Sequence, residues 1–200
     1  GFLVSDMQAY NESSIRNMLK VLEPRGPDGT SWLGVNHEGH ELWKRMEDAE
    51  EPRMPLAMAI GCCRLAINDR TDNGLQPLTN EDRTVWVVQN GEIFNFLELR
   101  TELKTLGHHF VSQTDTEVIV HGYEEWGDDC FNHFNGQFGV AIYDSRKQNL
   151  ILARDRLGIT PLFYQYSADG IRFASEIKSI LAAPDAKREI NHGKLASIIG

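Results

Sequence analysis

Positive charge is in short supply in this sequence. The 20 lysines and arginines are outnumbered by 29 aspartates and glutamates, so the formal net charge is −9 over 200 residues. That balance argues against a sequence-independent grip on nucleic acid or on an anionic membrane surface, since both need clustered cations. Cysteine is scarce too: there are three, with Cys62 and Cys63 adjacent and Cys130 far off. An odd count without framework spacing argues against a disulfide-stapled secreted domain. No apolar run approaches the roughly 20 residues of a membrane-spanning helix. The stretch from Gly1 to Tyr10 has no basic region ahead of an apolar one, so it does not read as a signal peptide. Asn11-Glu12-Ser13 matches a glycosylation acceptor, which matters only on a secretory route. Low-complexity tracts, internal repeats and Gly/Ser linkers are lacking as well. A cytoplasmic globular protein is the expectation.

What is present is enough for one substantial domain with a sizeable core, or at most two small ones. Ser13 and Ser14 precede Ile15, Met18, Leu19 and Leu22, four apolar residues on one helical face, which predicts a capped helix ending near Glu23. Ala57 to Ile67 reads as a buried strand, and the charged, aperiodic Glu38 to Pro55 as a surface excursion. Val85 to Gln89 predicts a strand closed by the turn signal Asn90-Gly91. Leu99, Leu103 and Leu106 lie at helical spacing before Gly107. A further helix carries Ile119, Gly122, Tyr123 and Trp126, with Thr114 or Asp115 near its start and Gly127 at its end. Phe138–Tyr143 with Leu150–Ala153, and Leu162–Tyr166 with Ile171–Ala174 across Asp169-Gly170, read as hairpins. Strands in hairpins interrupted by a few helices predict an α+β fold with antiparallel sheets.

Six stretches then stand in a telling order. They are Arg25-Gly26-Pro27-Asp28-Gly29, Arg64-Leu65-Ala66-Ile67, Asn90-Gly91-Glu92-Ile93-Phe94-Asn95, Asp115-Thr116-Glu117-Val118-Ile119, Ala153-Arg154-Asp155-Arg156-Leu157-Gly158 and Phe173-Ala174-Ser175-Glu176-Ile177-Lys178. The series resembles the glutaminase half of glutamine-hydrolysing asparagine synthetases, a type-2 glutamine amidotransferase domain. The resemblance implies the N-terminal nucleophile hydrolase fold, a four-layer αββα sandwich with two antiparallel sheets. It also implies a glutaminase domain over residues 1–181, with 182–200 beginning the connection to an ATP-dependent synthetase domain. No Ser-Gly-Gly-x-Asp pyrophosphate loop occurs in the sequence, so ATP and Mg²⁺ are expected only in that other domain, and no cofactor here.

The chemistry implied is hydrolysis of glutamine to glutamate and ammonia through a cysteinyl thioester. In such a family the nucleophile is an N-terminal cysteine whose own α-amine is the base. Gly1-Phe2-Leu3 would fit directly after that cysteine, so it is expected immediately before Gly1. Carried over by position, Asn90 and Gly91 are the oxyanion donors. Arg64 pairs with the glutamine α-carboxylate, and Asp115, helped by Glu92, with its α-ammonium. Backbone from Leu65 through Ala66 and Ile67 to Asn68 lines the pocket. The sequence departs from the family at Pro24, Cys62-Cys63, Phe94 and Thr160, none of them a proposed glutamine contact.

Blander readings stand beside these. Arg64 alone would be a structural ion-pair residue, Asp115 a helix cap, and Asn90-Gly91 a hairpin turn. Arg154-Asp155-Arg156 reads as ion pairs supporting the fold. Cys62 and Cys63 read as small core residues. His37 with His40, and His108 with His109, have no acidic or cysteine partner at recognisable ligand spacing, so no metal is expected. The expected partners are glutamine and a covalently linked synthetase domain, with a homodimer admissible and no nucleic acid or membrane. An alternative is a catalytically dead interaction domain lacking the cysteine, as in antibiotic-forming relatives of the synthetases. A third reading attaches the same glutaminase to a sugar-phosphate or phosphoribosyl partner, which the first and last motifs fit less well.

Overall fold

The computed structural model describes residues 1–4, 10–48, 55–168, 170–183, 186 and 188. Among the described residues, ten strands form two antiparallel sheets. The larger sheet takes β1 (Phe2–Val4), β2 (Thr30–Val35), β3 (Glu41–Arg45), β4 (Met58–Cys63), β9 (Phe163–Ser167) and β10 (Gly170–Ala174), in the order β3-β2-β4-β1-β10-β9. The smaller has β5 (Leu78–Thr79), β6 (Val85–Ile93), β7 (Gly136–Asp144) and β8 (Asn149–Arg154), in sequence order. With them go the α-helices α1 (Glu12–Lys20), α2 (Phe96–Thr105), α3 (Glu117–Trp126), α4 (Cys130–His133) and α5 (Ile177–Leu181).

Strand alternation builds the layers. Leu33 and Val35 of β2 and Met58 and Ile60 of β4 point at Trp86 and Val88 of β6 and Ala141 and Tyr143 of β7, forming the core between the sheets. The intervening residues face outward. Trp32 and Ala59 pack with Ile15, Met18 and Leu19 of α1. Val85, Val87, Val140 and Ile142 pack with Leu99 and Leu103 of α2 and Val118 and Ile119 of α3. The expected αββα sandwich is thus present, with one apolar core at each of its three interfaces.

Several local expectations change. The cap of α1 is Asn11, whose Oδ1 accepts from the backbone N–H of Ser14, while Ser14 Oγ accepts from the N–H of Asn11; Ser14 closes the capping box rather than opening the helix. Part of the supposed surface excursion is β3, an edge strand paired from Glu41 to Arg45 with β2. Asn90-Gly91 is no turn, because β6 runs on to Ile93, each residue still paired with β7. The Arg154–Arg156 stretch is held by the backbone rather than by ion pairs: Arg154 donates to the carbonyls of Thr160 and Gly158, and Arg156 to those of Phe134 and Phe131. Asp155 accepts from the N–H groups of Phe138, Ile159 and Thr160. Asp169 of the last hairpin, and most of the expected connecting segment 182–200, lie outside the described residues.

Candidate functional site

A cavity of about 390 Å³ opens at one end of the sandwich, where β4 and β6 from opposite sheets come together with the start of β1. Gly1 lies on its wall, with its nitrogen donating to the carbonyl of Phe173 at 2.9 Å. Of the residues singled out in the sequence, Arg64, Leu65, Ile67, Asn68, Asn90, Gly91, Glu92 and Asp115 line it. Ala66 is not among its lining residues; its N–H is turned to Asp28 Oδ2 at 2.8 Å. That bond, with Asp28 N–H donating to Arg64 O and Arg64 N–H to Gly29 O, lays the first motif alongside the second. Arg25 and Glu176 pair at 3.0 Å, bringing in the last motif.

Arg64 leaves the end of β4 and is buried. Its guanidinium donates to the carbonyls of Thr71 and Asp69, which fixes the fork but leaves further N–H donors. Gly74 permits this: a Cβ there would fall 2.2 Å from Arg64 Nη2. The loop between them is shaped by Asp69, which accepts from Thr71 N–H and Oγ1 and from the N–H of Gln113. Burial works against the Asp69 carboxylate, but these donors and Arg64 outweigh it and hold the carboxyl below its usual range.

Asp115 precedes α3 without capping it. Its carboxylate instead accepts from Ile93 N–H at 2.9 Å and from the amides of Asn68 and Gln89, each at 3.2 Å. Among the described residues, neither Arg64 nor Asp115 forms an ion pair with a side chain. A buried cation, with the Asp69 carboxylate behind it, and a buried anion held by neutral donors alone therefore face one cavity, and a ligand bearing both charges could pair with each.

Two amide atoms at the cavity, Asn90 Nδ2 and Gln89 Oε1, are buried with no hydrogen-bond partner among the described residues. Beside Asn90, Gly91 has φ 131°, and a Cβ there would sit 2.0 Å from the carbonyl of Gln137. Only glycine lets β6 pass that close to β7. Cys62 also lines the cavity, but burial pushes its thiol up to about 12, so it is a poor nucleophile at neutral pH.

Sequence reasoning missed Asp69, Gln76 and Gln89. Gln76 Oε1 accepts from Gln89 N–H, and its Nε2 donates to Thr116 Oγ1, tying β6 to the lead-in of α3. Only Asp69 carried a readable signal, an aspartate two residues before a threonine, which favours a local turn.

A cavity holding a fixed cation, a fixed anion and a spare amide donor is shaped for a zwitterionic amino acid with a polar side chain. The chain belongs to the glutamine amidotransferase domain family, whose model matches residues 1–200. It is 36% identical over 191 residues to the glutamine-hydrolysing asparagine synthetase 3 of Bacillus subtilis, covering 94% of this chain and 28% of that protein. It is 48% identical over 176 residues to the glutamine-hydrolysing asparagine synthetase 2 of Arabidopsis thaliana, covering 88% of this chain and 26% of that one. It thus spans between a quarter and a third of these relatives' length. Among solved structures it is similar to the glutamine phosphoribosylpyrophosphate amidotransferase of B. subtilis complexed with ADP and GMP. The TM-score is 0.72 at 21% identity, covering 88% of this chain and 42% of that one, a likeness of fold.

Proposed function

We propose that this domain hydrolyses the side-chain amide of glutamine, releasing glutamate and ammonia. The observation that carries the reading is the pair of buried charges, Arg64 and Asp115, that line one cavity without a side-chain ion pair among the described residues. They complement the α-carboxylate and α-ammonium of a free amino acid. Glu92, also on the wall, adds negative charge on the ammonium side. With the two ends held, the carboxamide is directed toward Asn90 and Gly91.

The nucleophile in this reading is a cysteine joined to Gly1 N, which places its thiol at the cavity wall. The cysteine α-amine takes the thiol proton, the thiolate attacks the amide carbon, and the carbonyl electrons move onto oxygen. Asn90 Nδ2–H and the Gly91 N–H then stabilise that oxyanion. As the tetrahedral adduct collapses, the C–N bond breaks, and the nitrogen leaves as ammonia with a proton from the cysteine α-ammonium. Water, deprotonated by the α-amine, then cleaves the thioester to glutamate. The ammonia passes to a linked synthetase domain that activates a carboxylate with ATP and Mg²⁺; the greater length of the asparagine synthetase relatives supports this partner. A cytoplasmic setting accords with three cysteines that are all free thiols.

The test is glutamate release from glutamine by the full-length protein, with its N-terminal residue identified by intact mass. Release is expected, and Arg64→Ala should raise the KM for glutamine at least tenfold, since a charge-assisted bond is worth about 1.5–3 kcal/mol. A folded protein with a cysteine before Gly1 and no release would overturn the reading. Another residue there, with no release, would leave a non-catalytic interaction domain.

A further inference from the structure

A second cluster of chemically capable side chains lies away from the cavity, on the outer helical layer. His108 follows α2, while His121 and Glu124 sit one turn apart on α3. Each offers a ligand atom, and the three atoms lie within 4.8 Å of one another. His121 Nδ1 is 3.0 Å from Glu124 Oε2, and His108 Nδ1 is 3.8 Å from that same oxygen. We propose that His108, His121 and Glu124 form a binding site for a borderline divalent cation of the Zn²⁺ type, by the two Nδ1 atoms and the Glu124 carboxylate.

Three ligands of this kind suit zinc, with water completing the tetrahedron. The stronger argument is the far side of each ligand. A metal-binding imidazole is normally oriented by a carboxylate or carbonyl on its other nitrogen, and a ligating carboxylate by a donor on its other oxygen. Two of the three supports are in place, and the third carboxylate stands just beyond hydrogen-bond reach. His108 Nε2 is 3.2 Å from Glu125 Oε2, and Glu124 Oε1 accepts from Asn80 Nδ2 at 2.8 Å. His121 Nε2 faces Glu117 Oε1 at 3.8 Å.

A second observation points the same way. His121 is 1% exposed, and its Nε2 is buried without a hydrogen-bond partner among the described residues. A metal on Nδ1 would fix the ring proton on Nε2, aimed at Glu117. The local charge welcomes a cation: Glu117, Glu124 and Glu125 surround the two rings, and among the described residues only Glu117 of the three pairs with an arginine or lysine, Arg100 at 4.0 Å.

The sequence hid this site because His108 and His121 stand at no recognised ligand spacing; the packing of the segment after α2 on α3 brings them together. A bound cation would clamp that segment to α3.

The experiment uses chelator-stripped full-length protein, titrated with Zn²⁺ by calorimetry and with Co²⁺ by absorption. Saturable binding of one equivalent is expected, with visible Co²⁺ bands and no near-ultraviolet thiolate charge-transfer band, which separates this site from any bound through cysteine. Glu125→Gln should weaken binding about 10–100-fold. His108→Asn should abolish stoichiometric binding while leaving the circular dichroism spectrum unchanged, because His108 belongs to no helix or strand. No saturable binding by the unaltered protein, a thiolate band, or undiminished binding by His108→Asn would overturn the proposal.

Discussion

Asn90 and Gly74 act on the proposed reaction by different means. The Asn90 side-chain amide donor is buried and unspent, so its removal should be felt where negative charge develops. Asn90→Ala is expected to lower kcat about 10²–10³-fold with little change in KM, the usual cost of deleting one oxyanion donor; an equal rise in KM would assign Asn90 to ground-state binding instead. Gly74 touches Arg64, not the reacting bond. A methyl at Gly74 would strike Arg64 Nη2 and turn the fork away from its two carbonyls. Gly74→Ala should therefore raise the KM for glutamine and spare kcat, and initial-rate kinetics separate the two patterns. The sequence motif offered Arg64 but not its dependence on Gly74, because that contact closes only when the loop through Asp69 and Thr71 folds back.

The strand β7 and the turn after β8 are joined by one carboxylate. Asp155 accepts from Phe138 N–H in β7 and from Ile159 and Thr160 N–H in the turn. Burial opposes its ionisation, but these backbone donors prevail and hold the carboxyl below the usual aspartate range. A depressed folded pKa contributes stability that is present above the unfolded value, about 3.9, and is lost as pH falls through the folded value. Unfolding by urea across a pH series should thus show the wild type losing stability below about pH 4. Asp155→Asn should be less stable at neutral pH and less sensitive to acid; parallel curves would refute the role. Elements of this kind were legible to different depths. The β7–β8 hairpin and α2 were readable because their apolar spacing is local. The continuation of β6 through Asn90-Gly91 was not, because the signal for a turn was overridden by pairing with Gly139 and Phe138. Strand β3 escaped notice because its residues make sense only against β2. Arg154 and Arg156 read as ion-pair partners because sequence shows charge but not which carbonyls a fold leaves within reach.

Across the molecule, the sandwich holds the candidate contacts in a fixed relation. Arg64 follows a strand of one sheet, Asn90 lies in the other, and Asp115 leads into a helix of the outer layer. These come from separate layers, locked by cores on both faces of each sheet. The order of the motifs made this architecture readable, while the distances between layers were set by side-chain packing that no motif records. Three attachment points that cannot move relative to one another give the cavity a handedness. Around the α-carbon, carboxylate, ammonium and side chain can meet Arg64, Asp115 and Asn90 together in only one mirror form. D-glutamine, with every functional group of its enantiomer, should therefore place at most two of the three. It is expected to be hydrolysed far more slowly than L-glutamine, and comparable rates for the two enantiomers would show that one of the three contacts is not made.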